Sequence, residues 1–249
     1  MLKQQFKNIL LYIQMYTKVE YIWIDENLKF HSKTRIFHSL FNTKPQITKW
    51  SFYNDSEQIT LKPLKVYNDP FERKNHLLVL CESFEKNSRI DALNIFEYKK
   101  YLEPTFEIEQ EFLVVPIYNF YNNNNDNIYC PIGSEYAFGR EFLTEVIDNC
   151  LYSGMKIISK NLQDSFGKMR IKIEGDDIDA SDQLMIMRYI LLRTSEKFNY
   201  EIKFIKCFYE FNTKPIRDTN KPNIFYNNNE NNNSFYITSK LFSDNCLQI

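Results

Sequence analysis

The chain has 249 residues, with 31 Lys and Arg against 32 Asp and Glu, for a formal charge of −1. That balance excludes a dedicated nucleic-acid binder, which would carry a basic excess. With 43% hydrophobic and 25% charged residues the chain can bury a core in one or two domains. All 5 glycines lie between Gly133 and Gly175, so a glycine-rich phosphate loop is excluded from the first half.

Leu2, Phe6, Ile9, Leu10 and Ile13 recur at helical spacing and predict an amphipathic N-terminal helix. No apolar stretch reaches the roughly 20 residues needed to cross a bilayer, so no membrane partner is expected. The 5 cysteines form no close pair, which predicts reduced thiols and a cytoplasmic location. Strands are expected at Tyr21–Ile24, Leu61–Tyr67 and Leu77–Cys81, where β-branched and aromatic residues are set between turn signals. Asp69-Pro70 reads as turn initiation. Ser88, with Asp91 three residues on, opens a helix with Ile90, Leu93 and Phe96 on its apolar face, and Pro104 should end it.

A strand is expected over Phe106–Val115, then a solvent loop at Asn122–Asn125. Glu141–Tyr152 predicts a helix closed by Gly154. Met169, Ile171 and Ile173 alternate with Lys168, Arg170 and Lys172, as on a strand with one basic face. Ser181 is expected to cap a long helix running to about Phe198. Beyond Ile216 the sequence becomes Asn-rich and predicts no structure. The order of elements is that of an α+β chain.

Glu107, Glu109 and Glu111 recur every second residue, so a strand would project all of them from one face. Carboxylates so placed repel one another unless a cation or basic side chain neutralises them. A hard cation such as Mg²⁺ is one reading. Spacing alone favours the other, a solvated strand face, because half-exposed strands alternate in this way. His31, His38 and His76 are scattered, and no carboxylate spacing marks any of them as an oriented base.

Tyr21-Ile22-Trp23-Ile24-Asp25, Asp69-Pro70-Phe71, Glu109-Gln110-Glu111-Phe112, Cys150-Leu151-Tyr152-Ser153-Gly154 and Lys214-Pro215-Ile216, in that order, resemble segments of the eukaryotic-type branch of the glutamine synthetase family. Tyr21-Ile22-Trp23-Ile24-Asp25 followed by Lys33-Thr34-Arg35 resembles its first signature, and Asp69-Pro70-Phe71 and Leu78-Val79-Leu80-Cys81-Glu82 its next two. Glu109-Gln110-Glu111-Phe112 is similar to the family's Glu-Gln-Glu-Tyr strand. Tyr129-Cys130, Ala137-Phe138-Gly139-Arg140 and Cys150-Leu151-Tyr152-Ser153-Gly154 follow. Asp182-Gln183-Leu184, Arg188-Tyr189-Ile190-Leu191 and Lys214-Pro215-Ile216 complete the series. Each fragment is weak by itself; their order carries the resemblance.

The resemblance implies an α+β fold: a β-grasp domain at 19–87 after an N-terminal helix at 1–18, then a partial catalytic domain at 88–216 with a curved antiparallel sheet, and a divergent tail at 217–249. It implies ATP and Mg²⁺ or Mn²⁺ as cofactors for joining ammonia to glutamate, and ring assembly, either as a homo-oligomer or mixed with a full-length glutamine synthetase. Glu109 and Glu111 match metal-binding glutamates, and Glu109 is the cofactor-site residue. The next two metal-binding glutamates align with Gln163 and Arg170. Tyr53 stands where the family has an Asp that serves ammonium binding. No His follows His76, and residues 217–249 match none of the family's remaining nucleotide, glutamate and metal groups. The resemblance therefore implies a truncated member without ligase activity, serving as an assembly partner, regulator or remnant. The alternative is a glutamate–ammonia ligase making glutamine from glutamate, ammonia and ATP, either by itself or in a mixed ring with a complete subunit. If Arg170 replaces a metal, Lys168, Arg170 and Lys172 should face the acidic strand across one sheet.

Overall fold

The computed structural model describes residues 16–25, 29–38, 45–54, 57–84, 102–118, 128–133, 137–176 and 178–215. The helices expected at Leu2–Ile13 and from Ser88, the Asn122–Asn125 loop and the tail at 217–249 lie outside them. The chain divides into two compact units, residues 1–90 with 152–154, and 91–151 with 155–249.

The first unit holds strands β1 (Tyr16–Ile24), β2 (Phe30–His38), β3 (Trp50–Asn54), β4 (Glu57–Asn68) and β5 (Leu77–Phe84). They form one sheet in the order β2-β1-β5-β4-β3. β1 and β5 run parallel at its centre and the other pairs are antiparallel. Alternation places Val19, Tyr21 and Trp23 of β1 with Leu77, Val79 and Cys81 of β5 in a core shared with Ile59 and Leu61. β2 and β3 stand at opposite ends of the strand order, about 19 Å apart were the sheet flat. Yet Lys33 of β2 lies 4.0 Å from the Phe52 ring centre of β3, and Arg35 lies 5.9 Å from that of Trp50. The sheet is rolled around its aromatic core. The expected turn at Asp69 is present: its Oδ1 accepts the N–H groups of Phe71 and Glu72 at 2.8 and 3.3 Å.

In the second unit β6 (Leu102–Pro116), β7 (Ile157–Leu162), β8 (Lys168–Asp176) and β9 (Tyr200–Pro215) make an antiparallel sheet in the order β7-β8-β6-β9. The helices are α1 (Arg140–Tyr152) and α2 (Ile178–Phe198). Phe106, Ile108, Phe112 and Val114 of β6 and Met169, Ile171 and Ile173 of β8 are buried on one face, against which α2 packs. Asn149 of α1 donates to Thr194 Oγ1 of α2 at 3.3 Å. Gly154 has φ +90° and closes α1 as expected. Asn199, at φ +54°, turns the chain from α2 into β9.

Two expected boundaries are corrected. Pro104 lies inside β6, paired with Thr213, rather than ending a helix. It is accommodated because, among the described residues, β6 pairs there with β9 alone; pairing with β8 begins at Thr105. Ser181 is not the cap of α2, which already begins at Ile178 with Asp179 in its first turn. An acid there suits the positive end of the helix, and Asp179 Oδ2 also accepts Gln183 Nε2 at 3.1 Å. The overall class is α+β.

Candidate functional site

The strand period puts Glu107, Glu109 and Glu111 on the face of β6 opposite its buried apolar residues. Antiparallel register then fixes what they meet on β8. Glu111 is opposite Arg170, Glu109 is opposite Lys172, and Lys168 is opposite Leu113. The result is a ladder of ion pairs across two strands. Arg170 donates from Nε to Glu111 Oε2 at 2.7 Å and from a terminal nitrogen to Glu109 Oε1 at 2.8 Å. Lys168 Nζ lies 3.2 Å from Glu111 Oε1, and Lys172 Nζ lies 2.5 Å from Glu107 Oε2. Each basic side chain expected to face the acidic strand does so.

Burial sharpens the arrangement. Glu111 is only 2% exposed, so its charge needs compensation inside the protein. Burial disfavours the charged Arg170, but the hydrogen bond and charge of Glu111, with those of Glu109, outweigh it and push its pKa above the ordinary value. The guanidinium also lies 5.1 Å from the Phe208 ring centre of β9. Glu107, Glu109, Arg170, Lys172 and Phe208 line an open cavity of about 300 Å³.

Gln163, just beyond β7, is buried at 6% exposure. Its N–H donates to Lys168 O at 2.8 Å, while its buried side-chain Nε2 has no hydrogen-bond partner among the described residues. On β7 Asn161 is opposite Arg170, and its amide donates to Tyr129 Oη at 3.1 Å. The remaining candidates lie in the first unit. His31 Nε2 is 3.0 Å from Asp25 Oδ2, His76 is buried beside the Asp69 turn, and Tyr53 is exposed on β3. Phe208 was not among the expected residues. It lies opposite Glu109 on β9, a strand not expected from the sequence, and a bulge at Ile205 turns Phe204 to the other face, so no simple two-residue period marks it.

No protein-family model matches the chain. A protein of Acanthamoeba polyphaga mimivirus named for glutamine synthetase is 32% identical over 212 residues, covering 75% of this chain and 60% of its own. A cytosolic glutamine synthetase isozyme of Daucus carota is 30% identical over 204 residues, covering 71% and 58%. The chain belongs to the glutamine synthetase family. The cryo-EM structure of Plasmodium falciparum glutamine synthetase shares the fold at a TM-score of 0.56 and 14% identity, over 90% of this chain and 56% of that one. The chain spans about three fifths of the length of the curated glutamine synthetases it matches.

Glutamine synthetase membership implies ATP and a divalent metal in the family, but the donor set here does not fit a metal. Both oxygens of Glu111 and one of Glu109 already hold cationic nitrogens. Among the described residues no group of three His, Cys, Asp or Glu is placed to coordinate an ion. Gln163 offers only a neutral amide, a poorer ligand for a hard dication than a carboxylate. Among the described residues, no helix is long and apolar enough to cross a membrane.

Proposed function

We propose that this glutamine synthetase-like protein does not by itself join ammonia to glutamate, and that it acts in the cytoplasm as an assembly partner or regulator. One observation carries the reading: the Arg170 guanidinium bridges Glu109 and Glu111, where the family resemblance puts a metal. Phosphoryl transfer from ATP depends on positioning and on neutralising the phosphates. A fixed guanidinium bound by two carboxylates has spent its charge and does neither. The first unit, with parallel β1 and β5 at the centre of its sheet, fits the β-grasp expectation and would serve assembly rather than chemistry.

The test is turnover by the purified chain with glutamate, ATP, ammonia and Mg²⁺ or Mn²⁺, reading phosphate and glutamine together. The expected result is no release above a no-enzyme control. Stoichiometric formation of both products would overturn the reading. The family relationship favours a second reading, in which the chain contributes to ligase activity only in a mixed ring with a complete subunit. Co-purification with such a subunit, and activity that depends on both, would establish it.

A further inference from the structure

We propose that Lys168 and Arg170 are resident counter-ions that close this acidic strand to divalent cations, so that these two side chains, not the loss of carboxylates, decide whether a metal binds here. Three carboxylates of the strand are still present, although Gln163 and Arg170 stand where the resemblance puts two more. Glu107, Glu109 and Glu111 project from one face of one strand, the placement from which two or more oxygens could converge on an ion. What differs is their occupancy. Glu111 gives one oxygen to Lys168 and the other to Arg170, and Arg170 spends a second nitrogen on Glu109.

A dication at Glu109 and Glu111 would have to displace Lys168 and Arg170, and would feel their repulsion and that of Lys172, which holds Glu107. The strand that carries them is held in place. Lys168 and Arg170 are two residues apart on β8, which is paired to β6 on one side and to β7 on the other. Arg170 cannot escape by losing its proton, because guanidinium stays charged in proteins. Space is not the obstacle: the adjoining cavity of about 300 Å³ has room for a hydrated ion. The exclusion is therefore electrostatic.

This inference shares with the proposed function only the reading that no metal resides at the ladder, and the experiments separate the two. Mn²⁺ binding to the whole chain is measured by calorimetry in wild type, in K168Q/R170Q and in K168Q/R170E. Wild type should show no saturable binding up to about 1 mM. The neutral pair should gain a site at least about tenfold tighter than any wild-type binding, and the acidic variant a tighter one still, since a third carboxylate then joins Glu109 and Glu111. Adding E109Q to either variant should abolish the gained site.

The neutral pair guards against the acidic variant failing to fold without metal. Its melting temperature should rise with Mn²⁺ while that of wild type does not. Saturable wild-type binding that E109Q removes would overturn the proposal, as would folded variants indifferent to Mn²⁺. Ligase turnover by a wild-type chain that binds no Mn²⁺ at the ladder would sink the functional reading and leave this one standing.

Discussion

Arg188 of α2 grips Gln110 Oε1 with two nitrogens, Nε at 2.8 Å and a terminal nitrogen at 2.6 Å. Gln110 is fully buried, and its amide nitrogen donates to the carbonyls of Lys206 at 3.0 Å and Glu111 at 2.7 Å. One side chain thus ties α2 to both β6 and β9, on the face of β6 opposite the charge ladder. Arg188 also lies 5.0 Å from the Phe204 ring centre, so its position is held by stacking as well.

Replacing Gln110 by Leu should therefore cost about 2–3 kcal/mol, because it takes the acceptor from the Arg188 guanidinium and a donor from two backbone carbonyls. R188L should cost a similar amount. The double variant should cost less than the sum, since each change removes the same bond. Urea denaturation of the four proteins in the cycle checks this, and strict additivity would show that the two side chains do not act as a pair.

Gly167 sits in the turn between β7 and β8 at φ +74°, and a Cβ built there would lie 2.4 Å from the Val114 carbonyl oxygen. The Gly167 carbonyl in turn accepts the Val114 N–H at 2.8 Å. G167A meets both a left-handed backbone and a backbone clash, so a loss of roughly 3 kcal/mol is expected. A melting temperature within a degree or so of wild type would contradict it.

His76 predicts acid sensitivity in the first unit. Its Nδ1 accepts the Lys18 N–H at 3.1 Å, Tyr16 stacks on the ring, and Nε2 is 3.8 Å from Glu72. Burial lowers its pKa below 6.5, and nearby Lys18 and Lys74 add to this while Glu72 and Asp69 oppose it. The unfolded chain then binds more protons than the folded one between the lowered value and 6.5, so stability falls as pH drops through that window. Protonation at Nδ1 would also lose the Lys18 bond. Melting curves from pH 7.5 to 5 should show this decline, and H76Q should flatten the part below 6.5.

Thiol accessibility gives a compact test of the packing. Cys130 is exposed, whereas Cys81 and Cys150 are buried. Burial pushes the Cys81 thiol up to about 12 and raises that of Cys150 as well. Brief maleimide treatment of the folded protein, read by peptide mass spectrometry, should modify Cys130 and spare Cys81 and Cys150 until denaturant is added. Rapid native labelling of Cys150 would contradict the helical packing of the second unit.

Much of the ladder was legible because it obeys the simplest rule available, the two-residue period of a strand. Glu107, Glu109 and Glu111 against Lys168, Arg170 and Lys172 needed only that rule and the resemblance that aligned Arg170 with a metal-binding glutamate. The pairing of Arg188 with Gln110 was not legible, since nothing local marks a buried amide as the partner of an arginine 78 residues away. β9 escaped because its apolar and charged residues carry no turn signals at regular spacing. β2 escaped because its residues are largely exposed, so burial leaves little mark on their order. Pro104 misled because its helix-ending habit is a local rule, and one-sided strand pairing overrode it.

The pairing of β6 with β9 has a consequence for biosynthesis. Pro116 meets Tyr200 and Leu102 meets Pro215, so pairing on that flank of β6 begins only about 80 residues after the strand is made and is complete after about 110. At roughly 5–20 residues per second that is a wait of about 5–20 s, during which an extended apolar segment hangs unclosed on the ribosome. The sheet of the first unit needs no residue beyond Phe84 and can close within that interval. The second unit is thus the aggregation-vulnerable half of a newborn chain, and chaperone dependence should map to residues 102–215 rather than to the N-terminal sheet.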